Sequence, residues 1–446
     1  MKKYFLFSAI TLISLLSFSQ DWNVSEIGVC PTVYSYDCIL ADGRNDGINR
    51  LYVTTRGGGI YEWTFESGVW SYITIDSGLT NLITIEVGDV RNDGINRLYA
   101  GQWNPNKNVK EYFWNGSNWE SQIISTEAQA VTCLVIGDIK KSGENSLYVS
   151  GFFGNKEYFW NGSSWDITTI PGPGNAVEGP GMIGNGKNDD TLRLYVPQKA
   201  GREYSWLDNV YSFSTLNAEA WPESSMVAIG RNDGLNRVYV QDWGGGWECT
   251  WNGSSWDTYN FTGISGRGEW YAGITKSDGK MNLYSSMVGL AFKEYSWNET
   301  GSQYETNTIV DASTGATSCI AIGSGRNDDT VRIYIPHYSN GGIYEITHIN
   351  PFVSGSTNNC PIEKNQSISL YPNPSSEFII IQLPDYENYQ YSIFDGKGKN
   401  VKIGKIESRF FNKSHTINTK NLSSGIYTIK LSSTKNVFIK KFIINQ

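Results

Sequence analysis

One four-residue turn, repeated seven times, constrains this chain more than anything else in it. Arg-Asn-Asp-Gly or a close variant begins at Arg44, Arg91, Lys140, Lys187, Arg231, Lys276 and Arg326, at intervals of roughly 45 residues. Each turn is followed by a short apolar stretch holding a Tyr: Tyr52, Tyr99, Tyr148, Tyr195, Tyr239, Tyr284 and Tyr334. A Gly/Asn-rich loop comes next, then a stretch carrying one Glu, and in most units an Asn-Gly hairpin signal such as Trp114-Asn115-Gly116. Four short strands per unit, a to d, make the blade of a β-propeller. The 47 Gly and 61 aromatic residues suit many short strands and tight turns better than helices.

The outermost strands count the blades. An aromatic followed five residues later by an apolar residue recurs as Trp70/Ile75, Trp119/Ile124, Trp165/Ile170, Tyr211/Leu216, Trp256/Phe261 and Tyr304/Ile309. The seventh unit ends near Phe352 without such a pair, and Trp22/Ile27 supplies the same spacing near the amino end. An unpaired last strand would leave an open edge. The expectation is an all-β fold: a seven-bladed propeller over 20–355, closed by residues 21–28.

Two charges recur in every unit. The basic residue opens the turn, and Glu62, Glu111, Glu157, Glu203, Glu248, Glu294 and Glu345 stand three residues before the aromatic, or His348, that precedes the last turn. Seven copies point to structure rather than to one catalytic site, because charges on covered strands need partners. A repeated ligand pocket is the alternative.

The segment Gly88-Asp89-Val90-Arg91-Asn92-Asp93-Gly94-Ile95-Asn96-Arg97-Leu98 resembles a degenerate FG-GAP/VCBS-like repeat of integrin-type propellers. That family places calcium on oxygens at the first Asp and at the second, fourth and eighth residues after it. Here the second place is basic in all seven units, and the eighth is Arg50, Arg97, Arg193, Arg237 or Arg332 in five. A hard cation needs oxygen ligands. The expectation is therefore no metal and no cofactor, with these arginines paired to Asp46, Asp93, Asp189, Asp233 and Asp328.

The two ends read differently. Residues 1–19 have a Lys2-Lys3 start, an apolar run from Tyr4 to Phe18 and a Ser-Phe-Ser cleavage site, which read as a secretory signal. Nothing later approaches a spanning length, so no transmembrane segment is expected. After a linker at 356–368, residues 369–446 alternate like a small β-sandwich. Leu370-Tyr371-Pro372-Asn373-Pro374, Tyr391-Ser392-Ile393-Phe394-Asp395, Asn421-Leu422-Ser423-Ser424-Gly425-Ile426-Tyr427 and Lys440-Lys441-Phe442 resemble the type A C-terminal sorting domain of the Bacteroidetes type IX secretion system. That resemblance implies recognition by the type IX machinery and a secreted or surface-attached product. Of the six Cys, Cys38, Cys133 and Cys319 fall on strands expected to be buried, while Cys30 pairs with Cys360, or with Cys38, or with neither.

Charge separates the two parts. Residues 20–363 carry 22 basic and 39 acidic side chains, a net of −17, which disfavours nucleic acid and anionic surfaces. All 16 Trp lie in this part. In propellers the b–c and d–a loops surround the mouth of the central channel, where ligands commonly sit. Candidate ligand-binding residues there are Trp103, Phe152, Trp221, Trp243, Arg267, Glu269, Trp270 and Tyr338. Three function classes follow: a monomeric carbohydrate-binding propeller taking a glycan or polysaccharide; a non-catalytic adhesin or scaffold; and a polysaccharide lyase with His337 as base, Tyr338 as acid and Arg56 or Arg267 as the uronate clamp. Zinc spacing, nucleophile-elbow and phosphate-loop motifs are absent from the sequence.

Overall fold

The computed structural model describes residues 21–354 except 80, 104, 173–176, 178, 217–221, 243–244, 262–267, 288–290 and 312–318. In the tail it describes 369–371, 375, 378–383, 388–395, 399–406, 414–433 and 437–445. The secretory-signal reading and the linker thus lie outside the described residues.

Seven four-stranded antiparallel sheets follow one another along the chain. Strands a to d of blade 1 are Ser35–Ala41, Arg50–Thr55, Ile60–Glu66 and Val69–Asp76; those of blade 2 are Leu82–Gly88, Arg97–Gln102, Asn108–Trp114 and Trp119–Thr126. Blade 3 is Val131–Gly137, Ser146–Gly151, Gly154–Trp160 and Trp165–Ile170; blade 4 is Met182–Gly184, Arg193–Val196, Arg202–Leu207 and Val210–Thr215. Blade 5 is Pro222–Ala228, Arg237–Asp242, Gly245–Trp251 and Trp256–Phe261; blade 6 is Gly268–Gly273, Asn282–Met287, Phe292–Asn298 and Gln303–Val310.

Blade 7 is built from both ends. Its strands a to c are Ala321–Gly323, Arg332–Pro336 and Gly342–His348, and its strand d is Trp22–Val29. Trp22 pairs with His348 and Glu26 with Tyr344, with one bulge before Gly28. Trp22 is buried among Tyr284, Phe292 and Ile346, at the junction of blades 6 and 7. The closing strand stands where the aromatic spacing places it.

The turns explain the repeated sequence. In every turn but that of blade 6 the second residue has positive φ, as at Asn45 (63°), Asn92 (58°) and Asn188 (57°), and Asn tolerates that region. Lys141 takes the same conformation in blade 3 at a steric disadvantage. The Asp that calcium would use in the resembling family is occupied: Asp89 accepts the Asp93 and Gly94 N–H groups at 3.1 and 2.7 Å. The eighth-position arginine then forks onto the second Asp, with Arg97 Nη1 and Nη2 at 2.9 and 2.7 Å from Asp93 Oδ1 and Oδ2. Arg50–Asp46, Arg193–Asp189, Arg237–Asp233 and Arg332–Asp328 repeat the pair.

Each recurring Glu pairs with the basic residue of its own blade: Arg44–Glu62, Arg91–Glu111, Lys140–Glu157, Lys187–Glu203, Arg231–Glu248, Lys276–Glu294 and Arg326–Glu345. The repeated Tyr stands opposite this Glu in every blade, and in five blades its hydroxyl donates to the carboxylate, as Tyr99 does to Glu111 at 3.1 Å. The same cation covers an aromatic of the next blade: Arg44 lies 3.8 Å from the Trp114 ring centre, Arg91 4.0 Å from Trp160 and Arg231 4.1 Å from Trp297. Arg326 covers Phe65 at 4.6 Å, continuing the series from blade 7 to blade 1. At blade 7 that aromatic is replaced by His348, and Lys276 lies over Trp22 instead. The network is thus structural and circumferential, with ion pairs inside blades and cation–π contacts between them.

The tail forms two antiparallel sheets around one core. Ser369–Tyr371, Phe378–Gln382 and Ser414–Asn418 make the first, and Asn400–Ile406, Tyr389–Phe394, Gly425–Ser432 and Val437–Ile444 the second. Ile379, Ile381, Ile393, Ile429, Leu431 and Phe442 fill the space between. Among the described residues no helix is long and apolar enough to cross a membrane.

Candidate functional site

The loops of blades 7, 1, 2 and 3 line one side of the channel mouth. There successive loops are tied by backbone hydrogen bonds. Arg56 N donates to Tyr34 O at 2.8 Å, Asn81 N to Arg56 O at 3.1 Å and Trp103 N to Asn81 O at 2.8 Å. The loops therefore form one continuous arc rather than independent projections.

Aromatic rings crown both ends of the arc. Tyr338, between strands b and c of blade 7, packs edge-on against Tyr34 and Tyr36 with ring centres 5.2 and 5.8 Å away. Trp103 meets Phe152 of the next blade edge-on at 4.8 Å. Between them Arg56 is exposed, its Nε donating to Asn81 Oδ1 at 3.2 Å. Tyr34 is 43% exposed and sits at φ 67°, an unfavourable conformation for a bulky side chain. Such strain persists only where the surroundings enforce it, and it concentrates at binding sites.

Several sequence-based candidates are placed otherwise. Trp270 is buried at 3%, packed on Phe261 and Tyr295 between blades 5 and 6, so it offers no platform. It lies on strand a, and its ring packs into the wall between the two blades. Glu269 is also buried, and Tyr271 Oη donates to its Oε2 at 2.6 Å. His337 is 5% exposed, and its Nδ1 accepts the Ser339 and Asn340 N–H groups at 3.1 and 3.2 Å. Neighbouring strand residues face opposite ways, so His337 turns inward while Tyr338 joins Tyr34. The acid–base pair expected of His337 and Tyr338 is not assembled. Trp221, Trp243 and Arg267 lie outside the described residues.

Tyr34, Tyr36 and Asn81 did not stand out in the sequence. The connection from the closing strand into blade 1 is a d–a loop like the others, and reading it so would have singled out Tyr34-Ser35-Tyr36.

Beneath the arc, strand a of blade 1 carries Asp37. Its Oδ2 accepts the Ile85 N–H of blade 2 at 2.9 Å and its Oδ1 the Cys38 N–H at 2.8 Å. Burial, with Glu86 nearby, pushes this carboxyl up to about 7. Glu269 is raised well above the usual range by burial and by Asp37. The wall below the mouth thus holds carboxyls that favour their protonated forms. Among the described residues no group of three or more His, Cys, Asp or Glu is arranged to hold a metal ion.

Fold and tail together define an exported β-propeller protein. Residues 369–445 match the family described as the secretion system C-terminal sorting domain, and the tail belongs to it. Proteins carrying this tail are secreted by the type IX system to the cell surface or the extracellular space. A comparison with curated protein sequences finds no match.

Similar solved structures include BBS1N in complex with ARL6DN, soaked with lead, at 14% identity and a TM-score of 0.51, covering 76% of this chain and 98% of that one. The extracellular domain of the one-component system BT4673 from B. thetaiotaomicron, at 11% identity and 0.47, covers 96% and 59%. An Agrocybe aegerita lectin, solved for its recognition of non-reducing terminal N-acetylglucosamine, is 11% identical at 0.47 and covers 72% and 86%. At 14% identity the likeness to the first of these extends to fold alone.

Proposed function

We propose that this exported propeller binds a glycan at the arc formed by Tyr338, Tyr34, Arg56, Asn81 and Trp103. The observation carrying this reading is Tyr34, an exposed aromatic held at φ 67° beside Tyr338 and tied by its carbonyl to Arg56. Aromatic faces suit the apolar faces of sugar rings, and the exposed Arg56 with the half-buried Asn81 suits ring hydroxyls or a carboxylate. The inward turn of His337 favours binding over elimination chemistry. The full chain on a glycan array tests the reading. Binding to one glycan class, lost at least about tenfold in Tyr34→Ala and Tyr338→Ala, is expected. An array without signal, or a signal unchanged in both variants, overturns it.

A further inference from the structure

The innermost strands meet in a repeated way. Two places recur on these strands: the seventh residue before a turn's basic residue and, in the following blade, the sixth before that blade's own. At three junctions the first accepts the backbone N–H of the second: Asp37 Oδ2 from Ile85 at 2.9 Å, Cys133 Sγ from Gly181 at 3.1 Å and Ser224 Oγ from Trp270 at 3.2 Å. The Cys133 case shows that a sulfur at this place reaches the facing backbone across the junction.

At the junction where the ring closes, the two places are Cys319, seven before Arg326, and Cys38, six before Arg44. Here a sulfur faces a residue that itself carries one. Both side chains belong to one buried cluster with Leu51, Val53 and Tyr334. Each thiol interacts electrostatically with the other, and both are free in the structure. Cys319 is 0% and Cys38 5% exposed.

We propose that Cys38 and Cys319 are joined by a disulfide in the exported protein, a covalent clasp between the first and last blades. A chain leaving the cell passes through compartments where disulfides form and persist. The two thiols lose two protons and two electrons as the Sγ–Sγ bond forms. The acceptor is the disulfide of an envelope thiol–disulfide oxidoreductase, which is reduced to its dithiol. Burial at both sulfurs requires that this exchange precede the final closing of the ring. Cys30 is the competing partner, since it is buried in the same cluster.

The test is a peptide map of the exported full-length protein, denatured in iodoacetamide without reductant. A linked peptide pair containing Cys38 and Cys319, with Cys133 and Cys249 alkylated, is expected. Alkylation of both Cys38 and Cys319, or a Cys30–Cys38 link, overturns the proposal. A second readout is the melting temperature. Reduction and refolding should lower that of the wild type by about 5 °C, whereas Cys38→Ala/Cys319→Ala should melt near the reduced wild type and ignore reductant. A double variant as stable as the oxidised wild type overturns the clasp.

Discussion

Asn327 of blade 7 and Asn49 of blade 1 are 278 residues apart and exchange two hydrogen bonds: Asn49 N donates to Asn327 Oδ1 at 2.8 Å, and Asn327 Nδ2 to Asn49 O at 3.1 Å. Asn45 with Asn96, Asn92 with Asn145 and Asn188 with Asn236 repeat this exchange between adjacent turns. Asn327→Ala removes both bonds and an αL-tolerant residue, and should lower stability by about 1–2 kcal/mol. Chemical denaturation measures it, and the loss should equal that of Asn188→Ala. A much larger loss at Asn327 would mean that this junction limits the whole ring.

Glu111 is fully buried and accepts from Arg91 Nε at 2.8 Å as well as from Tyr99 and Gln122. Glu111→Leu leaves a half-covered guanidinium without its carboxylate and should cost about 3–5 kcal/mol. Arg91→Met with Glu111→Leu should recover much of that in urea titrations. Equal losses for the single and double variants would show that the pair itself, not the orphaned charge, matters.

The forked Arg–Asp pairs occupy the turns in which the resembling repeat holds calcium. Millimolar calcium should leave the melting temperature unchanged, since Arg97 already neutralises Asp93 and holds its carboxyl below the usual range. A rise of several degrees on adding calcium, reversed by chelator, would contradict this.

Asp37 sets a pH dependence of known sign. Its carboxyl is raised to about 7 in the folded chain and stands near 4 when unfolded, so folding favours the proton. This contribution is fully present below about pH 4 and is lost as pH rises toward 7. Unfolding free energy should therefore fall across that window, and Asp37→Asn should flatten the fall when the two proteins are compared at pH 4.5 and 8. A parallel slope in both proteins would assign it elsewhere.

In the tail, burial lowers the His415 imidazole to about 4. Here the sign reverses: the stability present above pH 6.5 is lost as pH falls toward 4. The tail's melting transition in the full chain should drop over that range, and His415→Gln should remove the drop. A drop that persists in His415→Gln would exclude this histidine as its source.

Much of the ring was legible because its constraints repeat. A positive-φ Asn, a forked Arg and a Glu opposite a Tyr are each dictated seven or five times over, and Trp22 carried the spacing that its strand needed. The mouth was legible only in part. Trp103, Phe152, Arg56 and Tyr338 do lie on the described arc, but Trp270 looked like a loop aromatic while its strand already belongs to the wall between two blades. Tyr34 belongs to no repeat, and its significance rests on a backbone angle that no side-chain pattern announces.

A cation that is clasped by its own blade and rests on the next blade's ring leaves the disc without a free end. Linear repeat arrays fray from their terminal units, whereas a hoop must first be broken somewhere, and every break uncovers a paired cation on one side and bares an indole or phenyl face on the other. Local opening of a single blade is thereby penalised twice, and the exported disc should resist proteases until it gives way all at once.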